Sequence, residues 1–463
     1  MSMWSKNITF INGEVALSGI PASTLGKEFG TPTFFLDEDA FRSRAIAWRD
    51  GLKAEFGANA GEVFYASKAF TCTAVAHWIS EIGIGIDVAT GGELAAALAG
   101  GVDPAKIELH GNNKSLAEID RAVSIGVHSI VMDSLYEIDR VAEAARKHGK
   151  RQPVLIRLTP GIEAHTHESI STAHEDVKFG FSIASGAAWA AVEKIAELPE
   201  IELRGVHCHI GSQIFGTEAF EMAADRLLGF MAKYRDAYGV ELPELDLGGG
   251  YGIAYLANEV TVEPADVLPT IGTAVRAACA KYSLAIPSIS IEPGRNIVGP
   301  TMFTLYEVGT VKDVVIEDGT VRKYISVDGG MSDNARTALY DAEYSAVIAQ
   351  RTSSAPTAQS RLVGKHCETG DIIIRDIQLP SDVVPGDLIA TPATGAYGRS
   401  MASNYNHVPR PPVVAVIVGS EVRVMIVPAD VAEHPPAFVM VTVLSAVKLV
   451  NWPPLVPAKI LLI

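Results

Sequence analysis

Val63-Phe64-Tyr65-Ala66-Ser67-Lys68-Ala69-Phe70 is an apolar, β-prone run that ends on a lysine. A helical pattern follows it to Ile82, which makes the stretch one strand–helix unit. The unit repeats along the chain. Strands are predicted at Val63–Lys68, Ile84–Ala89, Ile107–Gly111, Ser129–Asp133, Pro153–Thr159, Leu203–Gly211, Glu244–Gly250 and Ser288–Gly294. Helices are predicted between them at Ala69–Ile82, Gly92–Ala99, Leu116–Ile125, Leu135–His148 and Ala187–Ala196. Such alternation implies βαβ units and a parallel sheet. Eight strands point to an α/β fold closed as a (β/α)8 TIM barrel, with a doubly wound open sheet as the alternative.

Polar or glycine-rich residues fall at the C-terminal strand ends. They are Lys68, Asp87, His110 with Asn112 and Asn113, Asp133, Arg157, His209 with Ser212, Gly248 to Gly250, and Glu292 with Arg295. A barrel carries its active site on that face, so separated segments converge on one mouth. Lys68, between apolar and aromatic neighbours, loses hydration there. Desolvation favours a neutral, nucleophilic amine that can form a Schiff base with a carbonyl. The plainer reading is a strand-end lysine whose head reaches back to water.

A further helix is expected from Asp39 to Glu55. Ahead of it, Asn7–Ile11 and Glu14–Leu17 flank Asn12-Gly13, a two-residue hairpin signal, and Pro32–Leu36 reads as a strand. After residue 296 strands take over at Met302–Val308, Lys323–Val327, Ile372–Arg375, Leu388–Ala390 and Val413–Ile417. Residues 1–37 are expected to pair with them. This gives a barrel over 38–295 and a discontinuous C-terminal β domain, sandwich or Greek-key-like, over 1–37 and 296–426. Residues 351–361, rich in Ser, Thr and Ala, read as a surface loop.

The 463 residues exceed one ordinary domain, and 48% apolar against 20% charged residues suits a sizeable core. A formal net charge of −16 argues against a nucleic-acid-binding or anionic-membrane surface. Cys72, Cys208, Cys279 and Cys367 show no CxxC spacing, so neither a disulfide framework nor a zinc ribbon is expected. With no apolar signal core and no run of membrane length, the expectation is a cytoplasmic protein.

Several short motifs carry candidate chemistry. Gly248-Gly249-Gly250-Tyr251-Gly252 could bring bare backbone to a phosphate, or only turn the chain. No GxGxxG dinucleotide fingerprint accompanies it. His207 and His209, two apart on a strand, share a face. They could be a metal pair, one could lie flat on an aromatic cofactor, or both could be ordinary hydrogen-bonded histidines. The following Gly211 and Ser212 suit a phosphate better than a metal shell. In Glu292-Pro293-Gly294-Arg295 the carboxylate could hold a proton on a pyridine nitrogen, and the arginine could grip a phosphate or carboxylate. A surface ion pair is the plainer alternative. Cys367 beside Glu368 could donate a proton, and Tyr397 in Gly395-Ala396-Tyr397-Gly398 could reach a phosphate. Either could also be a simple loop residue.

Taken together, eight motifs resemble one family in order. They are Tyr65-Ala66-Ser67-Lys68-Ala69, Asp87-Val88-Ala89-Thr90-Gly91-Gly92-Glu93-Leu94, His110-Gly111-Asn112-Asn113-Lys114-Ser115, His207-Cys208-His209-Ile210-Gly211-Ser212-Gln213, the Gly248–Gly252 loop, Glu292–Arg295, Cys367-Glu368 and Gly395–Gly398. Over residues 10 to 425 the chain resembles the pyridoxal-phosphate-dependent decarboxylases of the alanine-racemase-like barrel fold, and among them the diaminopimelate decarboxylases. The resemblance implies pyridoxal 5′-phosphate as cofactor, linked to Lys68, with Asp87 among its contacts. His209 matches the residue stacked on the pyridine ring and Glu292 the partner of the ring nitrogen. Ser212, Gly248, Gly249, Gly250, Arg295 and Tyr397 fall where the family holds the phosphate. Cys367 matches the proton donor and Glu368 a substrate-binding acid. Both reach the partner subunit's cofactor in the family, which implies a homodimer with shared sites.

Arg336 and Tyr340 match positions that bind the distal carboxylate of meso-diaminopimelate, with Arg295 and Tyr397 also facing the substrate. The implied reaction is decarboxylation of meso-2,6-diaminopimelate to L-lysine and CO2, the last step of lysine biosynthesis. Ornithine, lysine or arginine decarboxylases of the same fold are the alternative, although Arg336 would repel their substrates' distal cation. A metal-dependent barrel hydrolase and a non-catalytic cofactor binder stand further off. No metal, nucleic acid or membrane partner is expected. One departure stands out: residues 427–463 carry an apolar, proline-rich end, with Ala437–Val450 its longest apolar run, to which no role is assigned.

Overall fold

A computed structural model describes residues 3–162, 177–419, 421–426 and 441–443. Eight parallel strands close a barrel: Ala60–Ala66, Gly85–Val88, Ile107–Leu109, Ser129–Met132, Gln152–Thr159, Ile201–His207, Glu244–Asp246 and Ser288–Ile291. Each pairs with the next and the last pairs with the first, which removes the open-sheet alternative. Strands such as Ser129–Met132 are buried throughout, as parallel strands walled by helices must be. Most strands stop before their predicted ends. The chain lifts off the ladder at the rim, so the polar residues stand on the loops just beyond it.

Helices Thr73–Ile82, Gly91–Ala99, Leu116–Ile125, Leu135–Lys147 and Ala187–Ala196 alternate with the strands. The first begins later than predicted because Ser67–Ala69 forms a tight 3-10 turn around Lys68. Thr90, Ser115 and Ser134 cap the helices that leave the rim, the second in a full capping box with Glu118. Glu38–Phe56, ahead of the first strand, and two long helices, Glu218–Tyr238 and Pro264–Tyr282, complete the ring.

A second sheet is built around Thr33–Asp37, which pairs antiparallel with Met302–Val315 and parallel with Val413–Ile417. The strand alternates its faces: Phe34 and Leu36 enter the barrel's core, and Phe35 the core behind the sheet. The long strand Met302–Val315 then pairs with Leu388–Pro392 along one half and Val321–Val327 along the other. The hairpin Ile8–Ile11/Glu14–Leu17 turns at Asn12-Gly13 with φ of 51° and 83°, the geometry that dipeptide favours.

One expectation is overturned. Residues 351–356 are loop as expected, but from there Thr357–Val363 is a strand between Val321–Val327 and Ile372–Pro380. Its Ser360 and Leu362 alternate into the interior, so a polar composition concealed a half-buried strand. Val441–Val443 pairs with Glu421–Ile426, and the remainder of the predicted apolar end lies outside the described residues. Among the described residues no helix is long and apolar enough to cross a membrane.

Candidate active site

The C-terminal strand ends surround a cavity of about 780 Å³. Lys68 rises into it from the Ser67–Ala69 turn, and its side chain is accessible only through the cavity, whose wall it lines. The turn is held from the second sheet. The Tyr397 amide and the Ser400 hydroxyl both donate to the Ala69 carbonyl, at 2.8 and 2.9 Å. Burial works to lower the Lys68 ammonium, but the Tyr397 phenol, Asp87 and Glu292 outweigh it and the net direction is upward. Here the sequence reading is corrected. Desolvation alone predicted a neutral amine, whereas the Tyr397 phenol and the acids of other strand ends outweigh it.

Beneath Lys68 lies a buried cluster of acids and histidines. Glu292 Oε1 is 2.9 Å from His110 Nε2 and 3.2 Å from His207 Nε2. His110 Nε2 is also 3.0 Å from Glu108 Oε2. Burial acts to raise Glu292, and the two histidines reverse this and hold it well below the usual carboxylate range. Burial pushes Asp87 the other way, up to about 8, reinforced by the nearby Glu292 charge. His209 points elsewhere: its Nδ1 accepts from the Gly249 amide at 3.3 Å. Burial, then the charges of Lys68 and Arg157, depress His209 well below its ordinary value, leaving a neutral ring at the cavity. The proposed His207–His209 metal pair is therefore not formed. The donors that do converge are His110, His207 and Glu292, with both histidine Nε2 atoms within 3.2 Å of Glu292 Oε1.

One end of the cavity has the chemistry of an anion site. Arg295 Nε and Nη2 donate to Ser212 Oγ at 3.2 and 2.8 Å, and Nη1 to the Tyr255 hydroxyl at 2.7 Å. Its guanidinium lies 4.6 Å over the Tyr397 ring. Gly250 lines the same recess. Of the glycine loop's amides, that of Gly248 donates to Asp246 and that of Gly249 to His209. A side chain could not replace either glycine. A Cβ on Gly249 would stand 2.2 Å from the Glu292 carbonyl, and one on Gly248 2.3 Å from that of Cys208. A cation, two hydroxyls and bare backbone form a donor set suited to a phosphate.

The far wall holds Arg336, with Tyr340 beside it. Arg336 is buried, lies 4.6 Å over the Tyr255 ring, and donates to the Tyr344 hydroxyl. Burial opposes its charge, but the two phenols outweigh it and the net direction is upward. No carboxylate among the described residues is within ion-pair distance of it. Cys367 and Glu368 are exposed and do not line this cavity.

Sequence reasoning passed over Tyr255, Tyr344, Glu108 and Asp246. The last two had a signal: an acid inside a short apolar barrel strand must be buried and partnered. The tyrosines had none, because they meet Arg336 only through the fold.

Residues 38–299 match the family described as pyridoxal-dependent decarboxylase, pyridoxal binding domain. That is the class the fold and the site define. The chain is 51% identical over 424 residues to the diaminopimelate decarboxylase of Mycobacterium tuberculosis, covering 90% of this chain and 94% of the relative. It is 42% identical to that of Bacillus subtilis over 410 residues, covering 88% and 91%. A solved diaminopimelate decarboxylase from M. jannaschii, in complex with L-lysine, superimposes with a TM-score of 0.82 at 29% identity, covering 92% of this chain and 95% of that one. The chain belongs to the diaminopimelate decarboxylase family.

Proposed function

We propose that this chain decarboxylates meso-2,6-diaminopimelate to L-lysine and CO2, the last step of lysine biosynthesis, with pyridoxal 5′-phosphate as cofactor. The observation that carries the substrate choice is Arg336: a buried cation on the cavity wall, between aromatic faces, with no acidic partner among the described residues. Such a group calls for an anion from the ligand. The distal carboxylate of diaminopimelate supplies one; ornithine and lysine bring an amine instead.

Lys68 would hold the cofactor's carbonyl carbon, with the neutral His209 ring against its face. Glu292 would face the ring nitrogen. Ser212, Gly248 to Gly250, Arg295 and Tyr397 would hold the phosphate, and Asp87 completes the floor. The bound cofactor supplies an electron sink for the pair left when CO2 departs. The chain's own part is to orient the scissile carboxylate, exclude water and return a proton to Cα. Arg336 and Tyr340 fix the distal end of the substrate, with Arg295 and Tyr397 closing the near side. Cys367 is assigned the proton and Glu368 a contact to the substrate. Both are exposed on the subunit that carries them, which supports a homodimer in which each reaches the partner's cavity. A cytoplasmic setting belongs to the same reading: the four cysteines are free thiols, the usual state in a reducing compartment.

The test is an assay of CO2 and lysine release from purified, cofactor-loaded protein. Meso-diaminopimelate should be turned over, and ornithine, lysine and arginine should not. A preference for ornithine would refute the role given to Arg336.

A further inference from the structure

We propose that His110 is a positioning residue for Glu292: held between Glu108 and Glu292, its imidazolium keeps the Glu292 carboxylate ionised and turned toward the cavity. For its consequence in catalysis the inference rests on the reading that Glu292 faces the ring nitrogen.

The geometry comes from three strand ends, the third, the fourth and the eighth, that barrel closure brings together. His110 and Glu108 are two apart at the end of the third strand, so their side chains share the inward face. Glu292 follows the last strand. Nε2 of His110 stands 2.9 Å from Glu292 Oε1 and 3.0 Å from Glu108 Oε2. The other Glu108 oxygen accepts from the Ser129 hydroxyl, which fixes the acid from behind. All of these side chains are buried. A buried carboxylate without a cation takes up a proton. Asp87 and Asp246, in the same floor, are driven that way. Glu292 is not, and what distinguishes it is the imidazole at its oxygen. The cluster's mobile proton thus resides on His110 between two acids, and Glu292 is left as an acceptor.

Other titratable groups face the same carboxylate. Lys68 and Arg157 are cations on the first and fifth strand ends, and Asp87 and Asp246 lie on the second and seventh. His207 comes next, its Nε2 3.2 Å from the same oxygen; it helps to hold Glu292 low, but burial pushes its own pKa down, so it carries less of the charge than His110. His110 is the imidazole that burial does not win over, because Glu292 and Glu108 together raise it. A carboxylic acid at position 292 would instead share its proton with a ring nitrogen and draw electrons more weakly.

The test uses the cofactor-free protein first. In infrared spectra at neutral pH, His110→Gln should gain a protonated-carboxyl band that is lost again when Glu292→Gln is added. Glutamine can keep a hydrogen bond but not the charge, so a merely structural role would leave the spectrum unchanged. In the unaltered protein, nitrogen NMR should show both ring nitrogens of His110 protonated at neutral pH; this reading does not depend on any variant folding. With cofactor and substrate, His110→Gln should lose kcat on the order of 10²-fold at nearly constant KM. A neutral His110 ring, or a carboxylate at 292 that stays ionised without it, overturns the inference. Failure of the unaltered protein to decarboxylate anything would sink the proposed function while leaving both cofactor-free readings to be judged on their own.

Discussion

Single residues at the cavity do what they do because of charges brought from distant parts of the chain. Arg336 has aromatic walls and no counter-ion among the described residues. On the proposed reading, removing it takes a buried cation away from the substrate's distal carboxylate. Arg336→Ala should cost about 2–5 kcal/mol in kcat/KM for meso-diaminopimelate, visible in steady-state kinetics as a rise in KM more than a fall in kcat. Lys68→Ala should abolish decarboxylation together with the visible absorbance of the lysine-linked cofactor; native-rate CO2 release by that variant would disprove the assignment. Asp87 makes a pH prediction. Burial and the neighbouring Glu292 raise it to about 8, against 3.8 ordinarily, so the folded state keeps a proton that the unfolded chain has released. Its contribution to stability is therefore fully present below 3.8 and declines as pH rises toward about 8. In cofactor-free protein, Asp87→Asn should flatten that decline in thermal melts followed across the same range. An unaltered slope would show that Asp87 is not the group responsible.

Elements place these residues, and most of them could be read in advance. Apolar runs at regular spacing marked all eight barrel strands, because burial on both faces leaves a continuous hydrophobic signature. The rim residues were marked as well, since the polar break after each run is what lifts the chain off the sheet. Thr357–Val363 was not legible: one face is polar, and its strand character comes from two neighbours remote in sequence. The glycine loop after the seventh strand shows how tightly the elements constrain one another. Gly249 packs against the backbone of Glu292 with no room for a methyl group. Gly249→Ala should destabilise the fold by about 1–3 kcal/mol, read as a lowered denaturation midpoint. Because the atom displaced belongs to Glu292, the variant should also retain cofactor less well on dialysis. A variant as stable and as cofactor-retentive as the parent would show that the loop has slack.

At the scale of the whole molecule, the sheet before and after the barrel is one body with it. Thr33–Asp37 ends in Asp37, whose carboxylate accepts from the Ala40 amide and so starts the first barrel helix, Glu38–Phe56. With Phe34 and Leu36 in the barrel's core, residues 38–299 expressed alone should aggregate and not yield a soluble barrel, as size-exclusion chromatography would show. The exposed Cys367 and Glu368 bear on assembly. If each site takes its lysine from one subunit and its cysteine from the other, Lys68→Ala and Cys367→Ala proteins are each inactive. Mixed after dissociation, they should recover up to about a quarter of the parental activity, because random pairing restores one site in half of the dimers. No recovery would place both residues in the same subunit's chemistry.

The sequence alone determined the alternation of strands and helices, the rim on which the functional residues stand, and the hairpin at Asn12-Gly13. These follow from local hydrophobic pattern and turn chemistry, which act over a few residues. Tertiary structure alone decided the charge on Lys68, the separation of His207 from His209, the aromatic walls of Arg336 and the paired Glu108, His110 and Glu292. Protonation and ion pairing depend on which groups stand within a few ångströms inside a poorly solvated interior. That proximity is set by barrel closure, which brings the first strand beside the eighth and the third across from the sixth, and no local stretch of the chain encodes it.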